Sequence, residues 1–257
     1  MRDDALVQVG TGTYLVYGSN TNWVILEDGD AVTLVDTGYP GDHDQVVASL
    51  AALGHRPAAV AAILVTHAHS DHIGSADRFA REHKVPVLMH EAEVPHARRE
   101  FLHQVAVGDV LKNAWRPGVL PWLVHAVRSG GLTDVKMTDP QPFPKEGPLD
   151  LPGRPVPVHT PGHTGGHSAY HLPAVGALIT GDGLVTGHPT SRLRGPQLLP
   201  RMFDTDRARA LESLAIVEKL EADFVLPGHG PVHRGEAAAA ARHARELELS
   251  KRGRTPR

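Results

Sequence analysis

The chain has 257 residues, 41% of them hydrophobic, a net charge of -3, 18 histidines and no cysteine. That length supports one large core, so a single domain over residues 1–257 is expected. The missing cysteines exclude disulfides, a thiol nucleophile and thiolate metal ligands. No apolar run approaches the ~20 residues of a membrane span, and no sustained basic run other than the last few residues marks a nucleic-acid surface. Met1-Arg2-Asp3-Asp4 leads into no apolar signal core, so a cytoplasmic protein without membrane or nucleic-acid partners is expected.

From Leu6 to Val35, β-rich runs alternate with turn signals, and Glu27-Asp28-Gly29-Asp30 marks a tight hairpin in an antiparallel meander. Asp36-Thr37-Gly38 ends it. Asp42 to Leu53 carries apolar residues at helical spacing (Val46, Val47, Leu50, Leu53) and stops at Gly54. Val60 to Val65 is short, apolar and partly β-branched, the pattern of a buried strand. It runs directly into Thr66-His67-Ala68-His69-Ser70-Asp71-His72, and a helix-like stretch follows from Asp77 to His83. The cluster is therefore a loop at a strand end. Side chains alternate in extended backbone, so His67 and His69 face one side and can reach one ion. Asp71 and His72 lie past the turn, where they can face a second ion beside the first. Imidazole and carboxylate suit zinc, iron or manganese.

Val85 to Met89 reads as another strand. His90-Glu91-Ala92-Glu93 after it reads as a solvated helix start rather than as further ligands. Residues 94–139 carry apolar residues at helical spacing (Phe101, Leu102, Val105; Val110, Leu111, Ala114, Trp115; Leu120, Leu123, Val124, Val127), broken at Arg116-Pro117-Gly118 and Ser129-Gly130-Gly131. Two or three short helices are expected there, with Trp115, Trp122 and Phe101 as candidates for an apolar substrate wall. Pro140 to Pro157 is Pro-rich and extended. Val156 to His159, Ser168 to Leu172 and Ala177 to Thr180 read as strands. Residues 185–203 lack periodicity and carry His188, Arg192, Arg194 and Arg201. A lid there could grip an anionic substrate group through Arg192 and Arg194. Asp204-Thr205-Asp206 caps a helix from Arg207 to Leu220, Phe224 to Leu226 is the last strand, Glu236 to Leu249 is a closing helix, and Lys251 to Arg257 a frayed tail.

Three more ligand-type residues follow apolar stretches: His163 in Thr160-Pro161-Gly162-His163-Thr164-Gly165-Gly166-His167, Asp182 in Thr180-Gly181-Asp182-Gly183, and His229 in Pro227-Gly228-His229-Gly230. With the HxHxDH pattern at His67, His69, Asp71 and His72, the sequence resembles the metallo-beta-lactamase-fold hydrolases, from the Val32-to-Gly38 turn to His229. The resemblance implies an α/β fold, a four-layer αβ/βα sandwich, with residues 94–139 as a helical cap inserted between its two halves. It implies that His67, His69 and His163 hold one divalent ion, that Asp71, His72 and His229 hold a second, and that Asp182 bridges them, with zinc expected and iron or manganese as alternatives. It also implies that Asp36 supports the ligand loop. His167 has no place in that set and reads as a support.

Two dications sharing a water lower its pKa toward ~7, and the hydroxide attacks an acyl or phosphoryl centre. Asp71 can orient that nucleophile and shuttle its proton as a catalytic residue. Several branches of the resemblance fit less well. Asp182 and the lack of a signal core count against antibiotic hydrolysis, Ala68 stands where the diiron oxygen reductases carry Glu, and Val185 stands where acyl-homoserine lactonases often carry Tyr. The extra helical domain of the hydroxyacylglutathione hydrolases is not expected. The expected activity is hydrolysis of a small-molecule ester, lactone or thioester; a phosphodiesterase, or a non-catalytic binding module on the same fold, are the alternatives.

Overall fold

The structure is a computed structural model that describes residues 5–144 and 147–252. The meander forms as expected from β1 (Leu6–Gly10), β2 (Thr13–Tyr17), β3 (Asn22–Asp28) and β4 (Ala31–Val35), each antiparallel to the one before. The β3–β4 hairpin pairs Asp28 with Ala31 across Gly29, whose φ of 58° favours a residue without Cβ. The chain then runs through α1 (His43–Ala52), β5 (Val60–Leu64), α2 (Ala76–His83), β6 (Val87–Met89), α3 (Val94–Ala97), α4 (Val107–Lys112), α5 (Val119–Arg128) and β7 (Pro140–Pro142). Strands β5, β6 and β7 each pair in parallel with the strand before, so a seven-stranded sheet runs from β1 to β7 in chain order.

The second sheet is built from β8 (Val156–His159), β9 (Ser168–Leu172) and β10 (Ala177–Gly181). After α6 (Arg207–Val217) come β11 (Phe224–Pro227) and β12 (His233–Arg234), and α7 (Ala237–Arg252) ends the described chain. Its order is β12-β11-β10-β9-β8, with only β10 and β11 parallel.

Period-two alternation explains the layering. Along β3, Val24 and Leu26 point inward to join Leu15, Tyr170, Ile179 and Leu226 between the two sheets. Trp23 and Ile25 point the other way, onto Val46 and Leu50 of α1 and a core that includes Phe79 of α2. Along β10, Ala177 and Ile179 face the first sheet, whereas Leu178 faces Leu214 of α6 and Ala241 of α7. Helices thus cover the outer face of each sheet, and the architecture is the expected αβ/βα sandwich.

The structure departs from the sequence pattern in three places. Phe101, Leu102 and Val105 have helical spacing but lie in the non-helical stretch between α3 and α4, with Phe101 and Leu102 exposed. Helix α6 ends at Val217 rather than Leu220, and α7 continues through Lys251 to Arg252 where a frayed tail was expected; the rest of that tail lies outside the described residues. Among the described residues, no helix is long and apolar enough to cross a membrane.

Candidate metal centre

The strand ends that meet at one edge of the sandwich carry the centre. The loop after β5 is pinned by Asp36, which follows β4 with φ at 63°, a region that Asp tolerates better than most residues. Thr66 donates to Asp36 twice, from N–H to Oδ1 at 2.8 Å and from Oγ1 to Oδ2 at 2.7 Å. His72 Nδ1 lies 2.8 Å from Asp36 Oδ2. One carboxylate therefore sets both ends of the histidine loop, the supporting role expected of it.

Three ring nitrogens converge in the first ligand group. His67 Nε2, His69 Nδ1 and His163 Nε2 are 3.0 to 3.2 Å apart. The partner of each ring's other nitrogen assigns its tautomer. Thr66 Oγ1, whose proton is committed to Asp36, accepts from His67 Nδ1 at 3.1 Å. The His103 carbonyl accepts from His69 Nε2, and Asp204 Oδ1 accepts from His163 Nδ1 at 3.3 Å. Three lone pairs are thus left facing one another. Their separations are close to the ~3.3 Å edge of a tetrahedron with bonds of ~2.0–2.1 Å to an ion.

Asp71, His72 and His229 make a second group, and His72 and Asp182 make another with His67. His229 Nδ1 donates to the Asn20 carbonyl at 2.5 Å and His72 Nδ1 to Asp36, so both Nε2 atoms turn inward. Asp182 lies between the two groups: its Oδ2 is 3.4 Å from His163 Nε2 and 3.3 Å from His229 Nε2, and its Oδ1 is 3.4 Å from His72 Nε2. Asp71 Oδ2 approaches His229 Nε2 at 3.5 Å. Gly228 permits this crowding, since a Cβ there would sit 2.5 Å from Asp182 Oδ1 and 2.9 Å from His72 Cε1.

Electrostatics separate the two assemblies. Burial, and then repulsion among neighbouring imidazoles, pushes His67 and His69 well below the ordinary histidine value, so both are neutral. Burial acts the same way on His72 and His229 but is outweighed by carboxylates: Asp182, Asp36 and Asp71 raise His72 well above its ordinary value, and Asp182 with Asp71 raises His229. Asp182 itself, which burial would raise, is held well below the carboxylate range by His229 and His72. His72 Nε2 and Asp182 Oδ1 are buried without a hydrogen-bond partner. Buried polar atoms without a partner and facing lone pairs are costly unless a cation meets them, so these His and Asp residues fit divalent metal.

Two residues support the loops. Glu93, expected to be solvated, is 1% exposed and clamps both histidine loops. It accepts from Ala68 N–H at 2.9 Å, Gly166 N–H at 2.9 Å, the Thr164 hydroxyl, and His96 Nδ1 at 3.0 Å. Burial would raise its carboxyl, but His96, Thr164 and the Ala68 amide hold it at about 2. His167 donates from Nδ1 to the Thr160 carbonyl at 3.1 Å and accepts at Nε2 from the Asp182 and Gly183 amides, each at 3.1 Å. That fixes the backbone of Asp182, and burial lowers the imidazole to about 3.

A cavity of about 60 Å3 opens above the ligands, walled by Tyr39, Trp122, Ala126, His188, Leu199 and Phe203 among others. Trp122 lines it, packed edge-on against Phe203 at 5.3 Å. Trp115, Phe101, Arg192 and Arg194 do not line it. Trp115 is 82% exposed, and Phe101 stacks on His96. Arg192 lines a separate groove with Trp115, and Arg194 lines another beside Tyr17. The long loop instead delivers His188, Leu199 and Phe203, because the Val185–Gln197 bridge folds its polar middle away from the cavity.

Tyr39, His188 and the roles of Glu93 and Asp204 were not legible as site features. Tyr39 follows the Asp36-Thr37-Gly38 turn by one position, the only signal it offered. Burial, then Asp71, Asp42 and Asp182, pushes its phenol well up, so it stays protonated. His188 Nδ1 accepts from the Thr190 amide at 3.2 Å, which leaves the proton on Nε2. Burial, then His229, keeps that ring neutral.

A model of the metallo-beta-lactamase superfamily matches residues 16–229. The chain belongs to that superfamily. Among its relatives is a probable metallo-hydrolase of Bacillus subtilis, YybB, 27% identical over 212 residues that cover 81% of this chain and 79% of the relative. Metallo-beta-lactamase domain-containing protein 1 of Xenopus laevis is 30% identical over 213 residues, 82% of this chain and 71% of that protein. In three dimensions, a metallo-beta-lactamase family protein from Thermus thermophilus superposes with a TM-score of 0.69 at 24% identity, over 94% of this chain and 80% of the other. The match ends at His229, so all seven expected metal-ligating positions of this superfamily member lie within it.

Proposed function

We propose that this superfamily member is a metal-dependent hydrolase of a small-molecule ester, lactone or thioester, with two divalent ions, zinc foremost, held by His67, His69 and His163 and by Asp71, His72 and His229, and bridged by Asp182. The observation that carries this reading is the convergence of the His67, His69 and His163 ring nitrogens on one point, beside the buried and unpartnered His72 Nε2 and Asp182 Oδ1. The curated relative described as a probable metallo-hydrolase supports the same class.

Ions bound there supply Lewis-acid polarisation of an acyl oxygen and a water acidified toward neutral pH. The chain's own residues do the rest. Asp71 is 17% exposed at its side chain, more than any other carboxylate of the centre, and lines the cavity. It orients the attacking water, takes its proton and returns it to the leaving group. Asp182, held ionised, keeps cationic charge concentrated between the groups. Tyr39 and His188 are neutral donors in the cavity wall, available to an acyl oxygen. A cavity of about 60 Å3 admits a few waters or a small reacting group, so the apolar wall of Trp122, Leu199 and Phe203 excludes bulk solvent from the reaction.

The test is turnover of zinc-loaded protein, with metal content measured, on a matched lactone, thioester and phosphodiester. Preference for an acyl substrate is expected. Phosphodiester preference would overturn the substrate class. Asp71→Ala is expected to lower kcat by 10²-fold or more, in line with general acid–base contributions, while the first ligand group still takes up an ion. A near-normal kcat would remove Asp71 from the mechanism.

A further inference from the structure

Leu199 has two faces in the structure. One lines the metal cavity; the other lines a groove of about 620 Å3 between the segment after α4, the 190–202 stretch and the end of α7. Five cationic side chains line that groove, Arg116, Arg192, Arg201, Arg207 and Lys251, against a single carboxylate, Glu248. With Asp204, which pairs with Arg207 from behind the lining, five minus two leaves three positive charges at one concavity of a chain whose net charge is -3. Random placement of surface charge does not favour such an excess.

The carboxylate does not cancel the field. Glu248 is 2% exposed and accepts from Arg201 Nη2 at 2.6 Å and Arg207 Nη2 at 2.7 Å. It works as a buried anchor that fixes two guanidinium planes at the groove floor. Arg207 also donates to Asp204, whose other oxygen accepts from His163, so the floor is rigidly tied to the first ligand group. Among the described residues no carboxylate pairs with Arg116 or Arg192, so these two guanidinium groups retain their hydrogen-bonding capacity. Beside them Trp115, 82% exposed, presents an indole to solvent at the rim of the groove. Fixed and free guanidinium groups recognise phosphate in bidentate fashion, and an open indole stacks on a flat heteroaromatic ring.

We propose that this groove is a binding site for a small nucleoside phosphate, with the phosphates on Arg116, Arg192 and Arg201 and the base on Trp115. The site is separate from the metal centre, and it stands or falls independently of the hydrolase reading.

The test is calorimetric titration of the full chain with ADP, adenosine and inorganic phosphate, as purified and again with excess chelator so that phosphate cannot be held by metal. ADP is expected to bind in both conditions, more tightly than phosphate or adenosine, and more weakly as salt rises. Arg116→Ala combined with Arg192→Ala is expected to weaken ADP at least tenfold, and Trp115→Ala about threefold or more. None of these residues touches the metal centre, so turnover of a small neutral ester is expected to stay unchanged. Loss of ADP binding on chelation would overturn the proposal by placing the phosphate at the metals. Equal affinities for ADP and inorganic phosphate, ADP binding indifferent to all three substitutions, or no binding at all would overturn it too. A single-stranded RNA decamer binding more than tenfold tighter than ADP would replace the small ligand with a polymer.

Discussion

The floor and the roof of the metal cavity are built on different principles. On the floor, every ligand histidine has its outward nitrogen held by a named acceptor: Thr66, the His103 carbonyl, Asp36, Asp204 or the Asn20 carbonyl. In the roof, Val110, Val119, Trp122 and Ala126 pack with Tyr39 through apolar contact. Nine of the twelve exposed large apolar side chains among the described residues lie between Phe101 and Leu132, in or beside that roof. Directional bonds to buried groups fix atoms to a few tenths of an ångström and penalise any vacancy. Apolar contacts fix volume and tolerate exchange. The floor thus fixes positions closely, and the roof tolerates exchange of its side chains.

The hardest way to break the floor is through Glu93. Glu93→Ala strands the Ala68 and Gly166 amides, the Thr164 hydroxyl and His96, so a loss of about 3–5 kcal/mol in denaturant unfolding is expected. Metal affinity of the His67, His69 and His163 group falls with it, because Ala68 and Thr164 flank those ligands. Glu93→Gln keeps the volume and some acceptors and should recover part of both losses. An alanine variant with wild-type stability and metal content would mean that the loops hold themselves.

Acid separates the supports of the floor. His167 folds with its value lowered by burial to about 3, so between its ordinary 6.5 and about 3 the unfolded chain binds a proton that the folded chain does not. Stability therefore falls as pH drops through that window. For Glu93, burial notwithstanding, His96 and the loop donors lower the value to about 2, so its contribution is present above the ordinary 4.5 and is lost as pH falls toward 2. The decline should begin near pH 6.5 and steepen below 4.5. His167→Gln costs about 1–3 kcal/mol at neutral pH and should flatten the upper part of the decline; an unchanged slope would assign that part to other groups.

The two halves of the floor can themselves be told apart by protons. His67 and His69 are neutral before metal arrives, whereas His72 and His229 are raised and hold protons that an ion must displace. Loading of the first group should draw no proton from His67 or His69 around neutrality. Loading of the second should tighten as pH rises, by about tenfold per unit for each proton released, until the raised values are passed. Calorimetry in buffers of different ionisation heat reads the proton count directly. Equal proton release at both groups would erase the distinction.

The floor was largely legible in the sequence and the roof was not, for the same physical reason. The candidate ligands His67, His69, Asp71 and His72, His163, Asp182 and His229 each follow an apolar strand, and a strand end in a layered sheet leaves little freedom in where a side chain can go. His167 could be read as a support because it shares the loop of His163, and Asp36 because the resemblance to the family implied it. Glu93 could not: its burial depends on two loops closing over it from positions 68 and 164–166, and nothing in His90-Glu91-Ala92-Glu93 encodes that closure. Roof residues have periodicity but no register against the floor. Helical spacing marked Trp122 and Trp115 alike, yet α5 turns one into the cavity while the other is left on a groove rim. Arg192 and Arg194 were misplaced for the same reason, since the Val185–Gln197 bridge that turns them away pairs residues across an aperiodic loop.

The mildest test falls on the roof. Trp122 is 8% exposed, and its indole N–H has no hydrogen-bond partner among the described residues. Trp122→Phe keeps an aromatic ring against Phe203 and removes that unsatisfied donor, so the stability change is expected to be about 1 kcal/mol or less, far below that of Glu93→Ala. The substitution enlarges the wall of a cavity of only about 60 Å3, which a bulkier acyl group would feel more than a small one. The expected outcome is a several-fold shift in kcat/KM between a short-chain and a longer-chain ester, with kcat on the shorter one within about twofold of the parent. A uniform loss on both esters would tie Trp122 to the chemistry and place it with the floor; an unchanged ratio would move chain-length selection to Leu199 and Phe203, which the long loop contributes to the same wall.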